Sequence, residues 1–146
     1  MEGLDDILKK NNYRKIKFRI TKTQHLLLNA KINGVKGNFI LDTGASTSCV
    51  GFDTVARFNL ETQKSHTLAS GAGATGMFTQ LSTDNELTLG RWKHESFHIV
   101  IFDLSHVNSA LKEHKARPVH GIIGADILMR GKAIIDYHNQ YLYLLK

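Results

Sequence analysis

The chain has 146 residues, 42% apolar and 22% charged. This is close to the globular average, and it excludes a disordered tail or a collagen-like fibre. The length suits one domain spanning residues 1–146, and no run approaches the about 20 consecutive apolar residues that a membrane-spanning helix needs. Lysine and arginine number 19 against 13 acids, a formal net charge of +6. That balance suits an acidic partner, but the densest basic stretch, YRKIKFRITK, interleaves its charges with Ile16, Phe18 and Ile20. Such alternation describes a half-buried strand with a basic outer face, so neither nucleic acid nor a membrane is expected as a partner. Cys49 is the only cysteine, so no intrachain disulfide forms. The start, MEGLDDILKK, lacks the basic-then-apolar order of a secretory signal. A reducing, cytoplasmic location is the expectation.

In chain order, Leu4, Ile7 and Leu8 stand at helical spacing, which predicts a short helix within residues 1–12. Strands are predicted over 13–22, 24–33 and 36–42, the last two joined at Asn33-Gly34, residues that tolerate positive φ in a hairpin turn. A short helix fits 52–58 with Val55, Ala56 and Phe58 inward. Residues 63–69 and 77–83 read as strands around a glycine-rich tip, and 85–90 and 92–102 as two more, separated by Gly90-Arg91. The period changes over 103–115, where Leu104, Val107 and Leu111 share a helical face and Asp103 is placed to cap it. Strands over 131–138 and 140–145 close the chain. Many short strands and few helices predict a mainly β fold with a closed or folded-over sheet.

Three motifs compete for the function. GAGATG, residues 71–76, satisfies G-x-G-x-x-G, but a dinucleotide site needs a helix directly after it. Here MFTQLSTDNELTL follows with strand-like alternation, so a hairpin tip is the better reading. HESFH, residues 94–98, satisfies H-E-x-x-H and offers a zinc peptidase using His94, Glu95 and His98. The β-branched run that follows favours a strand, on which the two histidines stand about 13 Å apart, too far to share one ion. No metal is expected.

The third motif is ILDTGAST, residues 40–47. Phe39, Ile40 and Leu41 form an apolar strand that delivers Asp42 at its end. Thr43 offers a hydroxyl, and Gly44 and Ala45 leave room for a sharp turn. A second apolar strand ends at glycine in GIIGADIL, residues 121–128, before a short helix. With these two elements in this order, the sequence resembles the retropepsin-like aspartic proteases, most of all their stand-alone bacterial members. Their acid loop matches Ile40 to Ser46, their flap Ser70 to Met77, and their second signature Ile122 to Ala125. Two features depart from the retroviral pattern. Ala125-Asp126 follows Gly124 where a basic residue is often found, and the helical stretch 103–115 is extra.

The resemblance implies a closed acid-protease β-barrel with a flap hairpin and one or two short helices. It implies Asp42, Thr43 and Gly44 as the catalytic loop, with Thr43 bonding across a subunit interface. Ala45, Ser70, Gly71, Ala72, Gly73, Ala74, Thr75, Gly76, Ile123 and Gly124 are the implied substrate-binding residues, and a peptide or protein the substrate. No cofactor is implied. Hydrolysis by carboxylates needs two of them around one water, one ionised and one protonated. The chain carries one Asp-Thr-Gly; Asp136 lacks the turn, and Asp126 reads as a helix cap. A C2 homodimer with Asp42 and its mate at the axis is therefore expected. The terminal strand 141–145 is either part of that interface, as chain ends are in retroviral relatives, or an edge strand within the chain. Cys49 is expected to pack as a small apolar residue. A non-catalytic peptide-binding or assembly module of the same fold is the alternative to an aspartic endopeptidase.

Overall fold

The computed structural model describes residues 2–64 and 79–146. Helix α1 (Leu4–Lys10) buries Leu8 and carries acids in its first turn and lysines in its last, as the helix dipole favours. The basic stretch splits into β1 (Tyr13–Lys17) and β2 (Arg19–Ile20). The break falls at Phe18, which is 1% exposed and whose N–H donates to the Gln140 carbonyl at 3.0 Å. β3 (Leu26–Ile32) and β4 (Val35–Leu41) form the expected hairpin, with Asn33 and Gly34 at φ 52° and 81°. Then follow β5 (Cys49–Val50), a single 3₁₀ turn (Phe52–Thr54), β6 (Gln63–Lys64), β7 (Gln80–Leu89) and β8 (Trp92–Ile101). Helix α2 (Ser105–Glu113), β9 (Gly121–Ile123), helix α3 (Ala125–Arg130), β10 (Ile134–Asp136) and β11 (Tyr141–Leu145) complete the order.

Six strands close a ring. β3 pairs with β4, β4 runs parallel to β9, β9 antiparallel to β5, β5 parallel to β8, and β8 antiparallel to β7. β7 then returns to β3 at Lys31–Thr88 and Ile32–Leu87. The interior is filled by Ile32, Phe39, Leu41, Val50, Phe58, Leu87, Leu89, Phe97, Ile99, Ile101 and Ile123. The opposite face of β3, β4, β9 and β5 carries a second apolar cluster of Leu27, Ile40, Cys49 and Ile122, covered by Phe102, Leu104, Leu111 and Val119. Helix α2 supplies part of that cover through Leu111, with Leu104 at its N-cap. No side-chain cap bond forms there, and Asp103, expected as the cap, stands one residue further out and accepts from Ser105 N–H at 2.8 Å.

Three local expectations change. The predicted helix over 52–58 is one 3₁₀ turn followed by turns, with Thr54 and Phe58 inward and Ala56 exposed. The segments 77–83 and 85–90 are one strand where they are described, bent by a bulge at Asp84 (φ 58°) rather than broken. β11 is not an edge strand: it is the middle strand of a three-stranded sheet in the order β1-β11-β10. Its ladder partners come from its own chain on both sides. Among the described residues no helix is long and apolar enough to cross a membrane.

Candidate active site

Asp42 follows the last residue of β4 and keeps one further rung of the ladder, its N–H donating to the Ile123 carbonyl at 3.0 Å. Strand alternation therefore carries through it. Phe39 and Leu41 point into the barrel and Ile40 to the outer face, and the same alternation assigns Asp42 to the side of Ile40. The chain then turns tightly. Gly44 N–H donates to Asp42 Oδ1 at 2.9 Å, and Ala45 N–H to the Asp42 carbonyl at 3.2 Å. The first bond orients the half-buried carboxyl, while Thr43 and Gly44 are exposed.

The loop rests on the second signature. Ala125 N–H donates to the Ala45 carbonyl at 2.7 Å. A Cβ at Gly124 would lie 2.5 Å from that same oxygen and 3.2 Å from the carbonyl carbons of Ala45 and Thr47. Glycine is required there because two backbones cross, not because of an unusual φ. Asp126 Oδ1 accepts from Ser48 N–H at 3.0 Å, Ser48 Oγ at 2.7 Å and Ile127 N–H at 2.9 Å. Gly124 N–H in turn donates to Ser48 Oγ at 2.9 Å. These charge-assisted bonds clamp the end of the acid loop to α3. Asp126 is not the cap expected from the sequence, since the N-cap of α3 is Gly124 with no side-chain cap bond; it stands in the first turn, where its charge suits the helix dipole, and it also fastens the loop. No local pattern announces the second role, since its partner is 78 residues away.

The expected site residues separate into groups. Asp42, Thr43, Gly44, Ala45 and Gly124 come together in this one loop crossing. Ile123 is fully buried in the barrel and reaches the site only through its carbonyl; Ile122 is the residue on the Asp42 face. Ser70, Gly71, Ala72, Gly73, Ala74, Thr75 and Gly76 lie outside the described residues. His94, Glu95 and His98 lie on strand β8. Burial, then Arg130 and His98, hold the half-buried His94 below its ordinary pKa. No group of three or more His, Cys, Asp or Glu side chains close enough to hold a metal ion occurs among the described residues. Cys49 is buried, and its thiol is pushed up to about 12, by burial first and with Asp126 and Asp42 adding to it. Beside the loop opens a groove of about 540 Å³, lined by Thr43, Ala125, Leu128, Met129, Lys132, Ala133 and Ile135. Met129 is 78% exposed.

A family model described as aspartyl protease matches residues 28–127, which include both the Asp42 loop and the Gly124 segment. The chain belongs to the aspartyl protease family. A retropepsin-like aspartic protease from Rickettsia conorii is similar in structure, with TM-score 0.61, 19% identity, and coverage of 90% of this chain and 91% of that one. The EIAV protease in complex with an inhibitor is similar with TM-score 0.56 and 20% identity over 76% of this chain and 91% of its own. The retroviral protease-like domain of Ddi1 from Leishmania major has TM-score 0.56 and 19% identity over 82% and 87%. No curated protein sequence matches. The likenesses show the retropepsin-like fold expected from the sequence, and family membership supports an aspartic peptidase activity.

Proposed function

We propose that the protein is an aspartic endopeptidase whose active unit is a homodimer, each subunit contributing Asp42. The observation that carries this reading is the construction of the acid loop. Its carboxyl is half-buried at the outer face, oriented by Gly44 N–H, and fixed from beneath by the bonds through Ala125, Ser48 and Asp126. A catalytic group held this firmly needs little reorganisation at the moment of reaction.

Two carboxyls in contact cannot both ionise cheaply, so the pair holds one proton. The ionised member takes a proton from a water between them, and the protonated member donates to the scissile carbonyl oxygen. The water oxygen bonds to the carbonyl carbon and gives a tetrahedral diol. Collapse of the diol breaks the C–N bond as the amine leaves with a proton, and the pair ends with one proton again. A second copy is required because the chain holds one such loop.

The groove beside Thr43 supports the dimer. It is mostly apolar, adjoins the acid loop and is rimmed by the exposed Met129. Ile135 of β10 lines it, and β10 is the outer strand of its sheet. Thr43 lines it too, consistent with a hydroxyl that bonds across the twofold axis. Ser70 to Met77 are proposed as the flap over an extended peptide, which binds as an added strand. Asp42→Asn tests the reading: peptide cleavage disappears while fold and dimer persist. Cleavage retained by that variant refutes the mechanism.

A further inference from the structure

The barrel strands have two apolar faces, and the acid projects on the outer one. Ile40 is two residues before Asp42 on the same strand, so their side chains share that face. Ile122 faces the same way from β9, and Cys49 from β5. A peptide carbonyl brought to the acid therefore carries its neighbouring side chain over Ile40, Ile122 and Cys49.

That face is not open. Phe102, Leu104, Leu111 and Val119 lie over it and bury Ile40 to 5%, Ile122 to 7% and Cys49 to 8% exposure. All four belong to the connection between β8 and β9, which holds α2. Asn108 fastens α2 to the returning chain: Val119 N–H donates to its Oδ1 at 2.7 Å, and its Nδ2 donates to the Val119 carbonyl at 3.1 Å. At the rim of the cluster, Ala45, Val100, Val107 and Ala116 remain half-buried. These are the apolar residues of the cluster that still meet solvent.

Resting on the peptidase reading, we propose that α2 forms the wall of the substrate subsite flanking Asp42, and that Val107 sets the size of the side chain admitted beside the scissile bond. Val107 is suited to this because it belongs to the cluster and still meets solvent. Leu104 and Leu111, at 3% and 2% exposure, anchor the wall. Adding or removing a few carbons at such a position changes discrimination between large and small side chains by about 10- to 200-fold per methylene.

The test compares wild type, Val107→Ala and Val107→Phe in two measurements. The first is digestion of a proteome-derived peptide library, reading the residues on either side of each cleaved bond. The second is binding of hexapeptides with a reduced, uncleavable central bond flanked by Ala, Leu or Phe. In both, Val107→Phe shifts preference toward small residues and Val107→Ala toward large ones, by about tenfold or more. Unchanged preferences in both variants overturn the proposal, and so does the absence of any size-dependent binding. A size-dependent response to Val107 without cleavage of ordinary peptides leaves the wall standing and refutes hydrolysis instead.

Discussion

Replacing Gly124 with alanine perturbs the loop that carries Asp42 without touching the acid. Gly124 has φ −110° and ψ −167°, which alanine adopts freely, so backbone strain does not enter. The effect is steric. The new Cβ would stand 2.5 Å from the Ala45 carbonyl oxygen against about 3.4 Å for ordinary contact, so about 0.9 Å has to be found. The oxygen cannot simply retreat, because Ala125 N–H holds it at 2.7 Å from the same side of the crossing. Overpacking of this kind costs about 1–3 kcal/mol, and a weakened backbone hydrogen bond about 1 kcal/mol. The lower entropy of an unfolded alanine returns about 0.4–1 kcal/mol. The expected net loss is about 1–3 kcal/mol, read as a lower urea midpoint at unchanged slope. A displacement near 1 Å at the acid lowers kcat/KM by about 100-fold. A midpoint equal to or above wild type together with near wild-type turnover would refute the crossing geometry.

Asp126→Ala leaves Ser48 N–H and Oγ without their acceptor and is expected to cost about 2–4 kcal/mol. Asp126→Asn keeps an acceptor oxygen and recovers at least half of that in the same denaturation measurement. His120 supplies a pH dependence. Its Nδ1 accepts the Asn38 N–H at 2.9 Å, and burial, with Arg57 adding and Asp53 opposing, lowers its pKa below 6.5. The unfolded state therefore binds the proton first on acidification, and stability present above about pH 6.5 is lost as pH falls toward the folded value. His120→Asn retains an acceptor and cannot titrate, so the wild-type-minus-variant difference in urea midpoint slopes downward from about pH 7 to about pH 5, and a flat difference would refute the role of His120. The expected difference is a steeper fall for wild type. Cys49, with its thiol near 12, should resist iodoacetamide at pH 8 in folded protein and react promptly once unfolded.

Much of this architecture is legible from local pattern. Asn33-Gly34 fixes a hairpin register by turn chemistry, and the spacing of Leu104, Val107 and Leu111 gives α2 and its buried face. Asp42 is legible because an apolar strand ends on an acid followed by glycine, and Gly124 because a second strand does the same without the acid. What escapes is long-range. Nothing near Asp126 indicates Ser48, and nothing in YLYLL tells a middle strand from an edge, because both neighbours, β1 and β10, are chosen by packing. The choice between Ile122 and Ile123 needs the register of β9 on β4, which puts Ile123 beside Leu41 and hence inside. Alternation alone is silent in a run of two isoleucines.

The central claim is that one hydrolytic centre takes an Asp42 from each of two copies. Wild type and Asp42→Asn, unfolded together and refolded at varied ratios at fixed total concentration, test it by the rate of peptide hydrolysis. If each subunit supplies an essential acid, the rate follows the square of the wild-type fraction, and an equal mixture retains about a quarter of the wild-type rate. A rate that falls in simple proportion, retaining about half, would contradict the account.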